Sequence, residues 1–309
     1  MTQLNRRRFL TIAAAGLLAP RALHAAPLQR WRGIALGAEA TILLAHPDGA
    51  GIAEAAFREI ARLEKIFSLY RPESEVSRLN RDGVLSGPSF ELIECLSLSA
   101  ALHRATDGLF DPTVQPLWQL YAATYSAGRP PADAAIAEVL SRTGFAQLRF
   151  DGDSVAFAQP HMALTLNGIA QGYIADKVAD RLRREGLKDL LVDCGEVSAL
   201  GSGPDTAGQG WPLSFRAGED RLPGKLFLRD RALASSAPLG TAFDDAGEAG
   251  HIIDPRDGTT APAKWRLVSV SAPLAAVADG LSTAGCLLSK DRFETAVAAF
   301  PGAKIERLL

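Results

Sequence analysis

The sequence predicts an α+β fold in which mostly antiparallel or mixed sheets are packed by helices. Three observations carry that expectation. Amphipathic helical stripes fill the region before residue 147, short β-like runs crowd residues 147–271, and helices interrupt those runs unevenly. The regular strand-helix alternation of a parallel α/β wind is therefore missing. At 309 residues the chain can bury a substantial core. Its formal net charge of -2, with both signs scattered, leaves no footprint for nucleic acid and no polybasic arm for a membrane surface.

Taken in order, the chain opens with RRRFL at residues 6–10, then an apolar stretch over 11–20, then small residues at 22–26. Charged, apolar, small is the order of an export leader, here of the twin-arginine kind, ending at residue 25 or 26. An ordinary secretory leader has the same order, whereas a membrane anchor needs about 20 apolar residues, roughly twice this core. The folded domain is then expected over 30–309. Residues 39–45 read as a strand, and 52–67 carry a helical stripe through Ile52, Ala56, Ile60, Leu63 and Phe67. A second helix is expected over 89–105, started beside Pro88 and stopped by Gly108, and a third over 133–142. Strand-like runs follow at 147–150, 154–157, 163–166, 190–193, 225–228, 251–253 and 267–271, with helices at 168–185, 275–288 and 291–299. The three cysteines, Cys95, Cys194 and Cys286, lack metal or disulfide spacing and read as small buried apolar residues.

Several segments could carry chemistry. GSGPDTAG at 201–208 lacks the Gly-Lys-Ser/Thr ending of a phosphate loop, and GLSTAG at 280–285 misses the nucleophile-elbow spacing by one residue. Asp279 and Thr283 stand four apart, which on a helix places both oxygens on one face. That pair suits a hard cation such as Mg2+, and equally a capping Asp with a Thr one turn later. His251 opens HIIDPRDG (251–258), where an apolar run ends in an Asp-Pro turn closed by Gly258; it reads either as a proton-transfer group or as an ordinary polar residue. In TDGLFDPTVQPL (106–117) a turn explains every residue, and the loop could also close over a planar ligand through Phe110. In LTLNGIAQGYIAD (164–176) a polar, glycine-marked corner joins a strand-like run to a helix.

These segments, with FSLYRPESEVSRLN (67–80) and LVDCGE (191–196), occur in one order along nearly the whole domain. In that order the chain resembles the ApbE family of FAD:protein FMN transferases. The resemblance implies an ApbE-like fold and Mg2+-dependent transfer of FMN from FAD to a threonine hydroxyl of a periplasmic or membrane acceptor protein, with release of AMP. It implies metal ligation by the carbonyl of Ala170 and the side chains of Asp279 and Thr283. It also implies flavin contacts at Leu36, Tyr70, Leu109, Phe110, Asp111, Asn167, Tyr173, His251 and Ile252, with His251 and Asp279 as catalytic residues. The family pattern has other residues where this chain carries Thr165, Gln171, Cys194 and Ser236. NGIAQGY at 167–173 is similar to the NosX-like subgroup associated with nitrous oxide reductase maturation. Two other outcomes fit the same site: hydrolysis of FAD to FMN and AMP, and a non-catalytic periplasmic FAD-binding or assembly protein.

Overall fold

A computed structural model describes residues 10–12, 26–218 and 220–309. Most of the expected leader lies outside the described residues; Leu10–Ile12 of it form strand β1. The remaining elements, in chain order, begin with β2 (Gln29–Ala35), β3 (Ala38–Leu44), α1 (Gly49–Phe67), α2 (Glu75–Asp82), β4 (Val84–Ser86) and α3 (Phe90–Ala105). Then come α4 (Gln115–Ser126), α5 (Asp133–Leu140), β5 (Leu148–Phe150), β6 (Ser154–Phe157), α6 (Ala170–Arg184), β7 (Leu190–Asp193) and β8 (Val197–Leu200). The chain ends with β9 (Trp211–Ala217), β10 (Asp220–Arg221), β11 (Leu226–Leu228), β12 (Arg231–Ser236), β13 (Val268–Ala272), α7 (Ala275–Gly285), α8 (Lys290–Ala298) and β14 (Lys304–Leu308).

A seven-stranded sheet in the order β14-β13-β12-β8-β7-β3-β2 forms the frame, and every neighbouring pair in it is antiparallel. Side chains alternate across a strand, so one sheet feeds two cores. Ile42, Leu44, Leu190, Val192, Ala232 and Ala234 point into a core shared with α1, α6 and α7. Leu43, Leu191, Val197, Ala199 and Leu233 point the other way, against Trp211, Leu213 and Phe215 of β9. Strands buried on both faces lose the apolar-polar alternation. That is why β7 reads LLVD with all four residues buried. A separate three-stranded sheet, β4-β6-β5, lies beside α2.

The α+β class with antiparallel sheets is as expected, and α1, α3, α5, α6, α7 and α8 fall on the anticipated stretches. Two runs expected to be strands are not. Residues 163–166 join no strand ladder: the Leu164 N–H donates to Asn80 Oδ1, the Leu164 carbonyl accepts from Asn80 Nδ2, and the Thr165 N–H donates to the Pro112 carbonyl. A side-chain amide thus takes the place of a partner strand. Residues 251–253 form a loop stitched by an isolated bridge between Ile253 and Thr260 and by the Ala261 N–H to the Ile252 carbonyl. Among the described residues no helix is long and apolar enough to cross a membrane.

Candidate active site

Helices α6 and α7 build the floor of the site because glycine lets them touch. A Cβ on Gly172 would stand 2.4 Å from the Ala275 carbonyl oxygen, so only glycine permits the crossing. Asp176 of α6 then holds the start of α7, accepting from the Ala275 and Ala276 N–H groups at 2.8 and 3.0 Å. Burial pushes the Asp176 carboxyl up to about 7, against the pull of those two bonds. In return α7 offers Asp279, whose Oδ2 accepts the Gly172 N–H at 3.3 Å. That N–H lies in the first turn of α6, where donors lack partners within the helix and the positive end of the dipole favours a carboxylate.

At the corner before α6, Ile169 has irregular backbone angles (φ -151°, ψ -30°) and no side chain caps the helix. Gly168 presses on α7 from this corner: a Cβ there would lie 3.2 Å from Thr283 Oγ1 and 3.5 Å from the Phe110 ring. Asp279, Thr283, Gly168 and Phe110 therefore converge, and all four line a cleft of about 250 Å3.

The loop carrying Phe110 is pinned at several points. Thr106 Oγ1 accepts the Phe110 N–H, His103 Nδ1 lies 2.9 Å from the Phe110 carbonyl, and Asp111 accepts from Thr113 and from the Phe145 N–H. Burial pushes the Asp111 carboxyl above its ordinary range, opposed by those hydrogen bonds and by the nearby His103. On the opposite wall His251 Nδ1 stands 3.0 Å from the Thr241 carbonyl. A carbonyl can only accept, so Nδ1 carries the proton and Nε2 is the basic nitrogen of the neutral ring. Tyr70 forms the lip and is 71% exposed.

Of the expected site residues, Tyr70, Leu109, Phe110, Asp111, Asn167, His251, Ile252, Asp279 and Thr283 line this cleft. Ala170 is buried at the first position of α6, directly before the lining residue Gln171. Leu36 is buried in the two-residue turn between β2 and β3, at a left-handed φ of 48°, with its N–H held by Glu64 Oε1 at 2.7 Å. Tyr173, also expected to contact flavin, has its side chain in the core, edge-on to Phe67, with its hydroxyl donating to Glu94. Trp118, Glu196 and Thr241 line the cleft without having been anticipated. Glu196 lay within the LVDCGE motif, whereas nothing in the sequence marked Trp118 or Thr241.

Comparison with known proteins settles the family. Residues 36–305 match the ApbE family. The chain belongs to that family. Its curated relatives include the FAD:protein FMN transferases of Haemophilus influenzae (27% identical, covering 73% of this chain and 69% of the relative) and Vibrio cholerae (30% identical, covering 73% and 70%). Among solved ApbE structures, the apo flavinyl transferase of Pseudomonas stutzeri aligns with a TM-score of 0.76 at 26% identity, covering 90% of this chain and 89% of the other. The ApbE protein of Thermotoga maritima aligns with a TM-score of 0.76 at 28% identity, covering 90% and 93%.

Proposed function

We propose that this chain transfers the FMN moiety of FAD to a threonine hydroxyl of an acceptor protein, forming a phosphoester and releasing AMP. The carrying observation is the convergence of a buried carboxylate, Asp279, a hydroxyl, Thr283, and an irregular helix start at one end of a cleft that also holds His251. Asp279 is 3% exposed, yet it faces the cleft beside the close approach of Gly168 to Thr283. Among the described residues no group of three or more His, Cys, Asp or Glu is placed to hold a metal ion. The protein offers a cation one carboxylate, one hydroxyl and carbonyl oxygen, a donor set that would fit Mg2+. Asp279, Thr283 and the Ala170 carbonyl are the residues that would hold it. Mg2+ held by these residues would supply positive charge against the phosphate oxygens.

The protein's own groups do the rest. Phe110 and Tyr70 offer ring surfaces to the planar parts of FAD. His251, with Nδ1 committed to Thr241, takes the acceptor hydroxyl proton on Nε2 as oxygen bonds to phosphorus and the pyrophosphate bridge breaks. In this proposal the twin-arginine leader delivers the folded protein to the periplasm, where a membrane-bound electron-transfer regulator of nitrous oxide reduction is the acceptor.

The test is to incubate pure protein with FAD, Mg2+ and a candidate acceptor domain, then read a fluorescent flavin band on a denaturing gel together with free AMP. Wild type is expected to give both. Asp279→Ala is expected to lose transfer on the order of 10³-fold, since a ligand-held cation supplies several kcal/mol to phosphoryl transfer. AMP without a band would make the chain a hydrolase, and bound FAD with neither product a carrier.

A further inference from the structure

A row of hydroxyls runs from the end of β12 to the last turns of α7, and it takes one order of donors when Ser282 gives its proton to the helix backbone. Ser282 Oγ donates to the Asp279 carbonyl at 3.0 Å. A carbonyl can only accept, so this bond uses the single proton Ser282 has. Ser282 Oγ also lies 2.7 Å from Ser236 Oγ, and with the Ser282 proton on the carbonyl the proton between them belongs to Ser236. Ser236 Oγ lies 3.5 Å from Thr283 Oγ1, and with its own proton committed Thr283 becomes the donor. Strand alternation supplies Ser236 to this row: Ala232 and Ala234 of β12 enter the helix-side core, and Ser236 continues that face at the cleft wall. The neighbouring hydroxyl cannot substitute, because Ser235 pairs instead with Ser269 of β13 at 2.7 Å.

We infer that Ser236 is a positioning residue for the cation site, drawing the Thr283 proton towards itself and so turning the Thr283 lone pairs to the cleft. The inference rests on the proposed cation site at Asp279 and Thr283. A hydroxyl ligates a hard cation through a lone pair, and an unoriented hydroxyl must first give up rotational freedom. At 3.5 Å the last link is at the outer limit of a hydrogen bond, so its effect is that of one modest neutral bond.

The test uses Mn2+ as probe, titrated into the FAD-loaded full chain and followed by loss of the free-ion electron paramagnetic resonance signal. Ser236→Ala is expected to weaken Mn2+ binding to the FAD-loaded chain about fivefold. Ser236→Thr keeps the hydroxyl and is expected to bind Mn2+ as wild type does. Ser282→Ala breaks the same row from the helix side, frees the Ser236 proton to turn on Thr283, and is expected to weaken Mn2+ binding similarly. In a Thr283→Val background Ser236→Ala should add nothing further. Wild-type Mn2+ affinity in both Ser236→Ala and Ser282→Ala, or losses that add in the double variant, overturns the inference. Unchanged Mn2+ affinity in Asp279→Ala is a different failure, which removes the cation site itself.

Discussion

Two ring side chains show what separates a site residue from a core residue. Tyr173 sits in a motif that belongs to the family, yet its ring packs at 5.3 Å from Phe67 and its hydroxyl donates to Glu94. Burial and the Glu94 carboxylate both push its phenol upward, so it stays a protonated donor throughout the physiological range. Tyr173→Phe is expected to cost about 1 kcal/mol of stability in denaturant titration, the worth of one hydrogen bond. Flavin affinity should not change; a flavin dissociation constant raised tenfold would return Tyr173 to the cleft. His251 is the converse case, a half-exposed ring whose one nitrogen is fixed by the Thr241 carbonyl. His251→Gln is expected to lower transfer by about 10²- to 10⁴-fold, the range of general-base catalysis, while FAD binding measured by fluorescence changes little. The sequence placed both rings among the implied flavin contacts, because a motif records neighbours along the chain and not the direction in which a side chain leaves it.

At the scale of elements, the site depends on how α6 crosses α7. Gly172→Ala places a methyl 2.4 Å from a backbone oxygen that cannot swing aside, and overpacking of this kind costs about 1–3 kcal/mol. Because the Gly172 N–H also holds Asp279, the same variant is expected to weaken cation binding along with stability. Asp176 adds a pH term to this crossing. Its folded carboxyl titrates near 7 against an ordinary 3.8, so between those values the folded protein binds more protons than the unfolded chain. Stability contributed by this group is therefore greatest at low pH and falls as pH rises through that window, by about 1.4 kcal/mol for each unit of difference. Asp176→Asn should flatten that part of a melting-temperature profile, between about pH 4 and pH 7; an unchanged slope would show that the titrating group lies elsewhere. The helices of this crossing were legible from their apolar spacing, whereas the crossing was not. Only the coordinates show that Gly172 meets Ala275, residues 103 positions apart in sequence.

Over the whole molecule, what the sequence revealed follows from how many faces of each element are buried. Helix α1, wet on one side, announced itself by a stripe, and β3 by its apolar run. Strands β8 and β12 passed unnoticed because VSAL and RALASS lie between two cores and carry small residues. The β12 hydroxyls Ser235 and Ser236, of which Ser236 stood out only as a departure from the family pattern, line the cleft. The motif residues of that cleft were legible because they are local, and its far wall was not because it belongs to a third body of apolar residues. There Leu117, Tyr121 and Ile253 are buried together, with Trp118, Tyr125 and Phe243 packed against them. Phe243 stacks near-parallel to Tyr125 and meets Trp118 edge-on at 5.4 Å, while the Tyr121 hydroxyl donates to the Gly258 carbonyl. This satellite holds the loop that delivers His251 and Ile252, and it is separate from the two cores of the main sheet. Phe243→Ala should therefore loosen the loop without unfolding the sheet. Partly buried, the ring is expected to contribute less than the 3–5 kcal/mol of a fully buried Phe, about 1–2 kcal/mol. Hydrogen exchange should rise over residues 241–261 and remain at wild-type protection in β7, β8 and β12, while FAD affinity falls about tenfold. Faster exchange spread evenly through those strands would mean that the satellite and the main cores unfold together, and that the His251 loop has no stability of its own.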